Sequence, residues 1–403
     1  MKLLFLNHNV AHCGGTFYRA YHVARYMVQR GHLATLLTIS TNRRWGFIYE
    51  KSEGVQIIQT PDLLWGLGRS GWDPWDTFNR LVYLRGKEWD IIHAWDCRPV
   101  VILPALYARQ QSRKTRGKLI IDWCDWWGRG GVQAERANKF AKLFYAPIET
   151  YFEEAFRTQA DGTTVIGRAL RERALGLGVP EEPSMILLQG CDPDFIRPIQ
   201  KQVARAQLGI PLDDFVVGYR GTITVKEVDL LMQTLVIAKS QIPRLRFFAG
   251  NVVVTSSAIS FRQSADQCWG EWITETGRVP VDQLSLHLAV CDVFILPMII
   301  NSVLNNAKWP SKINDFLAAG RPIVATQVGE VAALFKEDIG IATDDDPRSL
   351  ANALVQIAQN PVQAEYFGRQ ARALAEGKLN WMGIVEELEA FYNRVKNAGQ
   401  KKF

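Results

Sequence analysis

The chain lacks paired cysteines. Its six, Cys13, Cys97, Cys124, Cys191, Cys268 and Cys291, stand singly, with no Cys-x-x-Cys among them. That argues against a disulfide framework and a zinc site, and makes a reducing cytoplasm the simplest location. Long apolar runs are missing too, so no bilayer-spanning helix is expected. The opening MKLLFLNHNVAHCGG has one basic residue and a single apolar run, Leu3 to Leu6, before polar Asn7, His8 and Asn9. This run is too short for the core of a secretory signal. There is no low-complexity segment. There is also no Gly-x-Gly-x-x-Gly, so the usual dinucleotide fingerprint is absent.

What is present points to a soluble globular protein of two domains. The 403 residues exceed what one compact core covers, and 47% hydrophobic with 22% charged residues is ordinary. The charge is uneven. Residues 1–200 carry 26 Lys and Arg against 20 Asp and Glu, and residues 201–403 carry 21 of each, so the whole excess of +6 lies in the first half. Nine of the 13 tryptophans lie there as well. The run RQQSRKTRGK (109–118) holds five cations. It is either a solvated loop or a patch for an anionic membrane or acidic substrate.

Both halves alternate strand and helix. KLLFLNH, the Gly turn HCGGT, the helix FYRAYHVARYMVQRG and the strand ATLLTIS form a βαβ unit, with Gly31 suited to a helix cap. The second half repeats the plan. FVVGYRG, LRFFAG, DVFILP and PIVAT read as strands, and KEVDLLMQTLVIAKSQ, PVDQLSLHLAVC and a helix from Ser311 to Gly320 read as helices. Two doubly wound parallel sheets follow, facing a cleft. The Pro- and Gly-containing LLQGCDPDFIRPIQ marks the boundary. The division is residues 1–195, residues 196–378, and a helix in 379–403 with Trp381, Ile384, Leu388 and Phe391 on one apolar stripe.

Three motifs carry chemistry. Gly14 and Gly15 sit between a strand and a helix, as a plain tight turn or as a loop whose amides meet phosphate. In WPSKINDFLAAG, Ile313, Phe316 and Leu317 form the buried stripe, and Ser311 can cap. Asp315 suits the helix macrodipole, whereas Lys312 is a cation where that dipole disfavours one. A bound diphosphate would repair the mismatch. LIIDWCDWWGRGG ends a buried strand on Asp122 and Asp125. That is the place for acceptor binding or proton handling, or for a cap or an arginine partner. Finally, PDLLWGLGRSGWDPWD (61–76) has no period and reads as a long loop whose Trp65, Trp72 and Trp75 cover either their own domain or an acceptor pocket.

In order along nearly the whole chain, GGTFYRAYHVARYMVQRGHLATLLT, WDIIHAWD, IIDWCDWW, LQGCDPDFIRP, VGYRGTITVKEVDLL and NDFLAAGRPIVATQVGE resemble a retaining GT-B glycosyltransferase similar to glycosyltransferase family 4. The resemblance implies two Rossmann-like domains, with the helix in 379–403 crossing back to pack on the first. The first would bind the acceptor, and the second a nucleotide diphosphate sugar. It implies donor contacts from Gly14, Gly15, Thr222, Lys226, Ser311 and Lys312, with Asp315 on the ribose, and catalytic roles for Asp122 and Asp125. Trp72 and Trp75 would border the acceptor.

The sequence also departs from the family. Ala307 stands where a donor-contacting Glu is usual, Thr222 where an Arg is, and Lys226 aligns with a phosphate-clamping Lys only across a one-residue deletion. The implied reaction is metal-independent sugar transfer to a hydroxyl of a glycan or lipid-linked acceptor, with retention. No cofactor or nucleic acid is involved, and peripheral membrane contact through the basic half is an option. A non-catalytic partner subunit and a sugar-nucleotide epimerase are the alternatives.

Overall fold

The computed structural model describes residues 1–40, 44–63, 70–135, 139–255, 260–264 and 270–398. The chain forms two compact units. The first holds Met1–Gln189, Ala307–Trp309 and the chain from Trp381; the second holds Gly190–Asn306 and Pro310–Asn380. Among the described residues no helix is long and apolar enough to cross a membrane.

In the first unit β1 (Lys2–Val10), β2 (Leu33–Ile39), β3 (Ile48–Ser52), β4 (Val55–Thr60), β5 (Ile91–Ala94), β6 (Lys118–Trp123), β7 (Gly162–Val165) and β8 (Ser184–Ile186) make one sheet. Its order is β3-β4-β2-β1-β5-β6-β7-β8. All neighbours are parallel except β3 and β4, a hairpin closed by Glu53 and Gly54, both at positive φ (47° and 85°). Two such residues make the turn whose twist matches the strands it joins. The period-2 alternation of β1 sorts its side chains to two faces. Leu3 and Phe5 join one core with the helices Gly15–Gln29 and Trp381–Ala398. Leu4 and Leu6 join the other, which includes residues of the helices Pro74–Leu84 and Pro99–Gln111. With both faces covered, the strands are nearly continuous in apolar residues.

The C-terminal helix buries Trp381, Ile384, Leu388 and Phe391, each at most 7% exposed. The ring of Trp381 stacks on His22, centroids 5.3 Å apart. Glu389 accepts from Arg30 and, at 2.9 Å, from His32.

The second unit has six parallel strands, β9 (Phe215–Thr224), β10 (Leu245–Thr255), β11 (Ile273–Thr276), β12 (Val293–Leu296), β13 (Ile323–Thr326) and β14 (Gly340–Thr343). Their order is β11-β10-β9-β12-β13-β14. The helix Val225–Gln241 starts at a capping box formed by Thr224 and Glu227.

Several local expectations need correction. Ser311 does not cap: it is itself in a right-handed helical conformation, its side chain makes no cap bond, and the helix runs Lys312–Ala318. The segment 61–76 is not loop throughout. A helix begins at Pro74, capped by Asp73, which accepts from Trp75 N at 2.8 Å. Trp65 lies outside the described residues. Thr222 is on β9, which extends three residues beyond FVVGYRG.

Candidate functional sites in the two units

In the first unit the chain passes from β1 outward to β2 and β4, then returns to β5, β6 and β7 on the other side. The order reverses between β1 and β5, and ligands of such sheets bind beyond the strand ends at that point. A pocket of about 270 Å³ lies there. It is smaller than the ~300–1,000 Å³ that encloses a drug-sized ligand, so it suits a single small group.

The pocket lining includes His8 from β1, Asp96 and Arg98 after β5, and Asp125 and Trp127 after β6. Asp96 is nearly buried and gathers two partners. Its Oδ2 is 3.1 Å from His8 Nδ1 and 3.4 Å from Arg98 Nε. Arg98 also lies 5.2 Å from the centroid of the Trp127 ring. Asp125 is open to solvent. Although the residue is exposed, the protein packed around its carboxyl strips some water from it and pushes it above the ordinary range, and Asp96 adds to the rise, while Arg98 and the Cys124 thiol oppose it.

Asp122, also on the wall, is placed differently. It is fully buried and ion-paired to Arg19. Thr164 Oγ1 donates to its Oδ1 at 2.5 Å, and Arg157 donates to its carbonyl at 2.7 Å. Thr164 also meets His93, whose other nitrogen is 2.6 Å from Tyr392 Oη. Burial, then Arg19, push His93 well below its usual range, so it stays neutral. Burial raises the Asp122 carboxyl, and Arg19 and Thr164 pull it back. This network joins two helices to three strands.

Gly14 and Gly15 begin the helix Gly15–Gln29 in this unit. Gly14 has φ 85°, and a Cβ there would come within 3.0 Å of Asn9, so the turn needs glycine. Trp72 packs edge-on against Trp127 and Phe152, centroids 6.2 and 5.4 Å away. It therefore supports the pocket wall from behind. Trp75 stacks on Phe78, meets Trp45 edge-on, and donates to Arg44 O at 3.0 Å; it does not line this pocket.

In the second unit the polar groups converge beside the end of β9. Lys312 Nζ donates to Tyr219 Oη and, at 2.5 Å, to Thr222 O. It lies 4.2 Å from the centroid of the Tyr219 ring. Arg220 is ion-paired to Asp315. Burial raises the Asp315 carboxyl and Arg220 opposes the rise. Gly221 at φ 83° leaves room for Lys312, whose Cε is 3.6 Å from where a Cβ would stand. Beside Arg220 an apolar pocket is lined by Tyr219, Phe248, Val279, Leu284 and His287. Lys226 and Ser311 are exposed. Ala307, at the end of the helix Val303–Ala307, is buried and has no carboxylate. Among the described residues no group of three or more His, Cys, Asp or Glu could hold a metal ion.

Sequence reasoning missed Arg220, His8, Asp96 and Arg98. Arg220 was legible as the cation in GYRG, two residues before the position searched. His8 comes beside Asp96 and Arg98 only through the strand order.

A family model described as Glycosyltransferase Family 4 matches residues 13–195, and one described as Glycosyl transferases group 1 matches residues 214–360. No curated protein matches by sequence. Among solved structures, sucrose-phosphate synthase from Thermosynechococcus elongatus is similar at TM-score 0.72 and 18% identity, covering 98% of this chain and 99% of that one. HepE of Anabaena in complex with UDP-glucose is similar at TM-score 0.68 and 15% identity, over 98% and 99%. The catalytic domain of starch synthase IV from Arabidopsis thaliana, bound to ADP and acarbose, is similar at TM-score 0.70 and 13% identity, over 98% and 99%. At these identities the likeness is one of fold.

Proposed function

The chain belongs to the GT-B glycosyltransferases, and we propose that it moves a sugar from a nucleotide diphosphate sugar to a hydroxyl acceptor with retention of anomeric configuration. The observation that carries the donor assignment is the convergence of Arg220, Lys312 and Asp315 beside one strand end of the second unit. Two cations there can balance a diphosphate, and neutralising the charge that develops on a departing diphosphate is the main electrostatic task of the reaction. With Arg220 and Lys312 in that role no metal is required. Asp315 takes the ribose hydroxyls, sharing them with Arg220, and the apolar pocket beside Tyr219 takes the base. The glycine turn at Gly14 and Gly15 is the first unit's own candidate for a phosphate contact, through its helix-start amides. That HepE is solved with UDP-glucose, and starch synthase IV with ADP, supports a nucleotide sugar as donor.

The first unit's pocket is proposed to hold the acceptor. Asp125 accepts a hydrogen bond from the reacting hydroxyl. His8, with Nδ1 turned to Asp96, offers its Nε2 side to a neighbouring hydroxyl. The departing phosphate takes the proton. Asp122 is assigned to holding the pocket floor rather than to contact with substrate, and Trp127, backed by Trp72, forms the wall against which a sugar ring rests. Trp75 is left out of the acceptor site, and Thr222 contributes its carbonyl, not its side chain.

Lys312→Ala is expected to weaken nucleotide diphosphate binding by about 1.5–3 kcal/mol, the range for a hydrogen bond to a charged group. Calorimetric titration with UDP, GDP and ADP measures it. Unchanged affinity for whichever nucleotide binds the wild type would remove Lys312 from the site.

A further inference from the structure

The helix Lys139–Glu154 is built inside out. A surface helix ordinarily turns its apolar side chains to the core and its charges to water. Here Glu149 and Glu153 are buried, at 2% and 0% exposure, while Leu143, Phe144, Tyr145, Ile148 and Tyr151 are exposed at 50–68%. The reason lies in the pocket loop. Glu153 accepts from the backbone amides of Trp127 and Gly128, both at 2.8 Å, and from Trp123 Nε1 at 3.2 Å. Glu149 accepts from Gln133 Nε2 at 2.7 Å. Glu154 is held by Arg173 at 2.6 Å. The helix thus uses its carboxylates to fix the loop and keeps none for the outer face. Phe144, Ile148 and Tyr151 follow one another at helical spacing along that face. Arg129, with its side chain 79% exposed, stands on the groove beside it and reaches Glu154 only at 3.9 Å, so most of its guanidinium is open to a ligand.

This composition selects among partners. An apolar stripe with two tyrosine hydroxyls, an exposed cation and no outward carboxylate complements an interface that is apolar below and anionic above. The formal excess of +6 lies in the same half of the chain. We propose that this face docks the first unit on an anionic lipid bilayer, with Phe144, Ile148 and Tyr151 entering the boundary between headgroups and acyl chains and Arg129 meeting lipid phosphate. Because Glu153 ties the helix to the Trp127 loop, the docked face is mechanically joined to the proposed acceptor pocket. The docking itself does not depend on the assignment of that pocket.

The test is co-sedimentation of the full chain with vesicles of phosphatidylglycerol and phosphatidylethanolamine, and with vesicles of phosphatidylcholine alone. Wild type should partition onto the anionic vesicles at least about tenfold better than onto the neutral ones, less so at high salt. The combined variant F144S/I148S/Y151S should lose at least about tenfold of that partitioning. Its melting temperature and nucleotide affinity should not fall, because these side chains already face solvent. Equal partitioning of wild type and variant would overturn the proposal. So would a wild type that binds no vesicles but self-associates in sedimentation velocity through the same three residues, which would make the face an interface between copies. Nucleotide affinity reports on the transferase assignment separately, so the failure of one reading is not mistaken for the failure of the other.

Discussion

Asp122→Asn should cost the first unit about 3–5 kcal/mol of stability, the penalty for leaving one member of a buried ion pair unmatched. The substitution keeps the shape and leaves the Arg19 guanidinium buried without its counter-charge. For a unit of this size that is a fall of about 6–20 °C in melting temperature, readable by calorimetry as a shift of one transition. A double variant, Arg19→Met with Asp122→Leu, should recover most of the loss, since apolar replacement of a whole buried pair is often neutral or better. If Asp122→Asn melts like wild type but transfers no sugar, the carboxylate belongs to the chemistry and the structural assignment fails.

Asp125→Asn should behave in the opposite way. The melting temperature and nucleotide affinity should hold, and the rate of transfer should fall by about 10²-fold, the scale of loss when a reacting group is no longer held in line. Donor hydrolysis without acceptor should survive. The pH profile supplies a second reading. The ionised carboxylate is the stronger acceptor, and the Asp125 carboxyl is pushed above the ordinary range. Transfer should therefore fall as the pH drops through that raised value, and the Asn variant should lack this limb. Full transfer activity in Asp125→Asn would remove it from the site.

The two aspartates stand three residues apart in IIDWCDWW, and nothing local separates their roles. What separates them is Arg19, 103 positions away from Asp122, which the topology carries under the end of β6. The architecture was open to reading because strands buried on both faces leave continuous apolar runs, and because the helices between them repeat at their own period. Lys312 was legible as an anomaly, a cation in a first helical turn. Arg220 was legible as the cation in GYRG but not as a site residue, because β9 runs on past the Gly221 position where a loop was expected. The inside-out helix hid for a related reason. LFYAPIETYFEE has the composition of a core helix, and only the fold shows that Glu149 and Glu153 face inward while Phe144, Tyr145 and Tyr151 do not.

The C-terminal helix bears on how the protein is made. Tyr392, which closes the polar network through His93, lies 299 residues after it along the chain, and Trp381 covers His22 from a similar distance. A ribosome delivers the N-terminal segment first, and domains generally fold as their chain emerges. Here the earlier unit waits for its last wall, whereas the later unit, lying wholly between Gly190 and Asn380, is complete as soon as it is synthesised. During translation the order of maturation is therefore reversed. The side of the first helix that carries His22 and Arg30 waits for Trp381 and Glu389 throughout, a window in which a nascent-chain chaperone has a reason to bind.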